Sequence, residues 1–131
     1  MRRMEGKEHA LERAKEFLES AEACWQADGL VGCALCCCAA MFWAAIAALM
    51  HVGVKAKKWK HDDVKRLFGL ELIKKRHLTP EKFGEWLKDA YELRNDAHYG
   101  LQELSRKEVE RTVRHAREFV AIINEVIKGG S

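Results

Sequence analysis

Between Leu30 and Val52 the chain carries no Asp, Glu, Lys or Arg; it reads LVGCALCCCAAMFWAAIAALMH and then Val52. A helix that is apolar on every side has two stable settings. It can span a bilayer, with the basic loop Lys55-Ala56-Lys57-Lys58-Trp59-Lys60 as its cytoplasmic flank. It can also be the central helix of a bundle, covered all round by other helices. The run is rich in alanine, cysteine and glycine rather than leucine and isoleucine, and each neighbouring segment is amphipathic and needs an apolar partner. Small residues let helices approach closely, so the composition points to the buried central helix.

The neighbours supply the cover. A first helix is expected from about Glu5 to Ala27, with Leu11, Ala14, Leu18, Ala21 and Trp25 on one stripe, and Asp28-Gly29 breaks it. A third should cover Asp62 to Arg76 through an internal glycine, its Lys74-Lys75-Arg76-His77 cluster complementing the helix dipole. In Leu78-Thr79-Pro80-Glu81 a fourth has a capping hydroxyl at Thr79, a proline at its first position and a Leu78 to Phe83 staple. Phe83, Trp86, Leu87, Ala90, Leu93 or Arg94, and Ala97 continue it, and Gly100 is expected to close it in a left-handed cap. The fifth starts at the capping box Ser105-Arg106-Lys107-Glu108, buries Val109, Val113, Ala116, Val120, Ile123 and Ile127, and ends at Gly129-Gly130. The fold class is therefore all-α, a four- to five-helix up-and-down bundle, with residues 1–131 forming one domain.

Composition narrows the chemistry. A net charge of +3 permits an acidic partner without demanding one. Of five cysteines, four fall between Cys33 and Cys38, and neighbours on one helix cannot easily bridge each other. No disulfide framework is expected, and a reducing cytoplasm is the natural setting. Met1-Arg2-Arg3 leads directly into charged sequence rather than into the apolar run of a signal peptide. Cys33-x-x-Cys36-Cys37-Cys38 has the outline of a metal motif. Its sulfurs would point in several directions along a continuous helix and no second ligand pair follows, so packing is the default and no metal or cofactor is expected. The loop residues Lys57, Lys58, Trp59, Lys60 and His61 could dock phosphate and stack a base. They could equally be a solvated loop whose Trp59 closes the end of the bundle.

The most specific stretch is Leu93-Arg94-Asn95-Asp96-Ala97-His98-Tyr99-Gly100. Arg94 and His98 are four residues apart, on one helical face, within reach of a single anion. A fixed cation can hold a phosphate, and an imidazole, whose ordinary pKa is about 6.5, can exchange a proton beside it. Asn95 and Asp96 could orient either side chain. The alternative is structural: Arg94 pairing with Glu92, Asp96 or a partner-chain carboxylate, and His98 capping the helix C-terminus.

This pattern resembles the HEPN domain family, and compact archaeal and bacterial members most of all. The resemblance rests on the long first helix, the phrase Ala39-Ala40-Met41-Phe42-Trp43-Ala44-Ala45, the basic loop ending Lys60-His61, the fourth helix ending Leu-Arg-Asn-x-x-x-Tyr-Gly, and the amphipathic last helix. It implies a bundle that dimerises with its Arg/His helices near the two-fold axis, here through helices two and four. It also implies metal-independent endoribonuclease activity, with Arg94 as the cation, Asn95 as the following polar residue and His98 as the histidine. Only three residues separate Arg94 from His98, a shorter interval than the family's pattern. The other role it implies is a non-catalytic partner of a minimal nucleotidyltransferase in a toxin–antitoxin or defence pair; Tyr99 is then either an acceptor for adenylylation or a buried tyrosine at the helix end.

Overall fold

A computed structural model describes residues 6–129, which form α1 (Gly6–Gln26), α2 (Leu30–His51), α3 (His61–Phe68), α4 (Lys82–Tyr99) and α5 (Arg106–Lys128). Glu5, Gly130 and the Met1-Arg2-Arg3 leader lie outside the described residues, among which there is no strand. The centre is α2. By length and composition it could cross a membrane, yet 56% of its most apolar window is buried inside the protein. It packs against α1, α3, α4 and α5, which accounts for its lack of a polar face.

Small residues set how closely these helices meet. A side chain at Gly32 would sit 3.0 Å from the Cys24 sulfur, and one at Gly6 would run into the end of Met50. The start of α1 therefore meets the end of α2 and the end of α1 meets the start of α2, an antiparallel pair turned at Asp28 (φ 59°) and Gly29. On the other side of α2, Phe119 of α5 stacks on Phe68 (5.4 Å) and on Phe83 of α4 (4.5 Å), and Phe83 stacks in turn on Trp86 (5.1 Å). All three phenylalanines are fully buried. Exposed ion pairs tie the helix ends: Arg106 to Asp28 at 2.9 Å, Lys82 to Glu118 at 3.0 Å, and Arg117 to Glu22. Each contributes well under about 1 kcal/mol, so burial rather than charge holds the bundle.

Helix five follows its sequence pattern closely. Ser105 accepts a hydrogen bond from the Glu108 N–H at 3.3 Å, and the buried face adds Thr112 and Phe119 to the expected residues. The third and fourth helices depart from theirs. After Phe68 the chain widens into a π-helical segment, Gly69–Lys75, so the single helix expected to Arg76 is two geometries in succession. Val64, Phe68 and Leu72 keep one buried line, while Leu70 is turned outward. The segment ends at His77 in the left-handed region (φ 52°), and the N–H groups of Leu78 and Thr79 both bond the Leu72 carbonyl. Thr79 is drawn into that turn with its hydroxyl buried, so it does not cap the next helix, and α4 begins at Lys82 rather than at Pro80. Nor is Gly100 left-handed. It leaves α4 extended (φ −76°, ψ 148°), with its N–H on the Asp96 carbonyl at 2.9 Å. A Cβ there would lie 2.5 Å from that same oxygen, so close approach is what requires the glycine.

Two substitutions check this packing. Phe119→Ala should lower the unfolding free energy by about 3–5 kcal/mol, measured by denaturant titration, because it removes the ring between Phe68 and Phe83. His77→Gly should raise it by about 1 kcal/mol by relieving the left-handed conformation of a residue with a Cβ.

Candidate functional site

Arg94 lies on the turn of α4 that faces α2 and the start of α3. Its guanidinium carbon stands 5.7 Å from the centre of the Tyr91 ring, and its Nη1 donates to Asn95 Oδ1 at 3.2 Å. The side chain is half-buried, and among the described residues no carboxylate stands within ion-pair distance of it. The structural alternative, pairing with Glu92 or Asp96, is therefore not realised within the chain. Both of those acids line a separate cleft between α4 and α5, together with Asp89, Glu108, Arg111 and His115.

What Arg94 does face is a pocket of about 330 Å³, to which α2 contributes Cys38, Phe42 and Trp43, α3 contributes His61, and α4 contributes Tyr91. The His61 ring is held between two others, 3.7 Å from Tyr91 and 5.3 Å from Phe42, the latter nearly parallel at 8°. Its Nδ1 is buried without a hydrogen-bond partner. Burial first, with the nearby Arg94 and Lys65 charges, lowers the His61 pKa against an opposing pull from Asp62. Cys38 stays a neutral thiol, its pKa pushed up to about 11 by burial, with Arg94 working the other way. The pocket thus combines one fixed cation, a clamped neutral imidazole and aromatic walls.

The remaining candidates are dispersed. His98 is exposed at the end of α4 and stacks on Tyr99 at 5.3 Å, and Tyr99 itself is 76% exposed. Asn95 touches Arg94 directly; Asp96 faces the α4–α5 cleft. In the basic loop Lys57, Lys58 and Lys60 are exposed, whereas Trp59 is partly buried against the core, closing the bundle end. His61 parts company with that loop and starts α3. Sequence reasoning did not mark Phe42, Trp43, Cys38 or Tyr91 as site residues. Phe42 and Trp43 stood in a phrase already singled out, and Tyr91 precedes Arg94 by one turn, but only the packing of α2 on α4 brings them together.

The cysteine run serves packing. All five cysteines are free, and Cys33 and Cys37, one turn apart, share a hydrogen bond that lowers the Cys33 pKa and raises that of Cys37. Among the described residues no group of three or more His, Cys, Asp or Glu side chains could hold a metal ion.

An all-α bundle with α2 enclosed is the architecture the sequence pattern anticipated. The HEPN domain family matches residues 8–126, so the chain belongs to that family. No curated protein matches it at a significant level.

A second imidazole, His115, stacks flat on Trp86 at 3.9 Å, and burial first, then Arg111, lowers its pKa. His61 and His115 both favour their neutral forms in the fold, so their folded pKa values lie below the unfolded value of about 6.5. The stability they contribute is complete above pH 6.5 and is lost as the pH falls through the folded values. Urea unfolding should show a lower midpoint at pH 5 than at pH 7.5, and His61→Phe with His115→Phe should shrink that difference. An unchanged difference would contradict the assignment.

Proposed function

We propose that this HEPN protein recognises RNA through its phosphates at Arg94 and cleaves it without a metal ion. Proteins of this family are often nucleases or otherwise RNA-related. The observation that carries the reading is the half-buried guanidinium of Arg94, which no carboxylate of the described chain neutralises. A charge kept partly out of water without a counter-ion is costly unless an anion arrives to pair with it. A phosphodiester fits, because a planar guanidinium can take two of its oxygens at once.

In the cleavage step the 2′-oxygen bonds to phosphorus as the bond to the 5′-oxygen breaks. The proton leaving the 2′-hydroxyl goes to a base, and another is given to the 5′-oxygen by an acid, leaving a 2′,3′-cyclic phosphate and a 5′-hydroxyl. Arg94 offsets the charge gathering on the phosphoryl oxygens, Asn95 holds Arg94, and the exposed His98 exchanges protons. A homodimer through α2 and α4 would place two such pairs side by side. Val31 at the start of α2, and Tyr99 and Leu101 at the end of α4, are exposed apolar side chains that such a contact would cover. The setting is a cytoplasmic toxin–antitoxin or defence pair. A second reading is favoured by the exposure of Tyr99: a non-catalytic module partnering a minimal nucleotidyltransferase, which would move the adenylyl group of ATP onto the tyrosine oxygen as pyrophosphate leaves and the phenolic proton passes to a base.

Purified wild type and Arg94→Ala/His98→Ala protein should be incubated with pooled tRNA and messenger RNA in excess EDTA. Wild type alone should yield 2′,3′-cyclic phosphate ends. No difference between the two proteins would overturn the nuclease reading in favour of the partner module, and cleavage seen only without EDTA would overturn the metal-free mechanism.

A further inference from the structure

We infer that His61 and Arg94 together form an anion site complete within one protomer, in which His61 presents a hydrogen-bond donor to an oxygen of a phosphate held by Arg94. The inference rests on Arg94 being a phosphate anchor, and it adds a residue from another helix that the Arg94/His98 spacing does not contain. Both side chains line the same pocket, although thirty-two residues of sequence separate them. His61 cannot swing away, because Phe42 and Tyr91 hold its ring on both faces.

The environment also selects its protonation. Two cations lining one pocket would repel, so the neutral imidazole is the form compatible with Arg94. A neutral imidazole carries one N–H. Placing it on Nδ1 would bury a donor with no acceptor, whereas a bare Nδ1 lone pair in that aromatic sandwich is the lesser cost. The hydrogen therefore sits on Nε2, the nitrogen left to meet a ligand. Arg94 then supplies the charge and His61 a directed, uncharged N–H. The groups facing the imidazole are Phe42 and Cys38 from α2, Asp62 and Lys65 from its own helix, and Tyr91 and Arg94 from α4. An anion between His61 and Arg94 would reverse the local field and favour a second proton on the ring.

The structural alternative is a histidine that only pins the start of α3 to α2 and α4 through its ring. Phenylalanine at this position keeps the stack and removes the orphaned nitrogen, so His61→Phe should fold at least as stably as wild type. Glutamine places an amide N–H near the position of Nε2 and keeps the donor. The test is to titrate the whole chain with inorganic phosphate while following the imidazole NMR signals of its six histidines. The expected result is that the His61 signal moves and its pKa rises on binding. His61→Phe should weaken phosphate binding roughly ten-fold, His61→Gln should stay within roughly three-fold of wild type, and Arg94→Ala should lose it. Phosphate shifting His98 or His115 but not His61, or His61→Phe binding as well as wild type, would overturn the inference while leaving Arg94 as the anchor. Undiminished binding by Arg94→Ala would overturn the anchor as well.

Discussion

A helix with no polar side has to be enclosed, and that requirement on α2 organises everything else in this protein. Four helices must each turn an apolar stripe toward it, and the alanines, cysteines and glycine along it fix how near they come. The site follows from that enclosure. Because α4 lies against α2, the residues one turn apart at Tyr91 and Arg94 face Phe42 and Cys38. Because α3 starts beside both, His61 enters between Phe42 and Tyr91. Nothing in the pocket has to be held by a loop.

As the proposed phosphate anchor, Arg94 marks where stability and function would pull apart. Several cations elsewhere on the surface have partners: Arg106 with Asp28, Arg76 with Glu71 and with the Val52 carbonyl, Lys82 with Glu118. At Arg94 the neighbours are an amide oxygen, an aromatic ring and a neutral imidazole. The acids that could have answered it, Glu92 and Asp96, turn toward α5. A cation–π contact and one amide hydrogen bond offset only part of the desolvation of a guanidinium, and the proposed phosphate is what would supply the rest.

The elements governed by local rules were legible in the sequence. Ser105 and Glu108 announce α5, Asp28-Gly29 breaks α1 from α2, and the 3.6-residue period picks out Phe83, Leu87 and Ala90 on α4. What failed to show was set by competition between neighbours. Thr79 has the chemistry of a cap, but the turn leaving the π-helical segment claims it, and Gly100 is required by the nearness of the Asp96 carbonyl rather than by a left-handed backbone. Arg94 could be singled out from its own segment. Its approach to His61 could not, since helix packing brings the two together and no period in the chain encodes it.

The central claim is that Arg94 is kept for a ligand and not for the fold. The most direct measurement is the unfolding free energy of ligand-free Arg94→Met protein, in which a side chain of similar length carries no charge. The account predicts a value equal to or above that of wild type, with a loss of no more than about 1 kcal/mol if the Tyr91 contact matters more than the desolvation it offsets. A loss of about 3 kcal/mol or more would mean that the guanidinium is part of the structural framework, and the account would be contradicted.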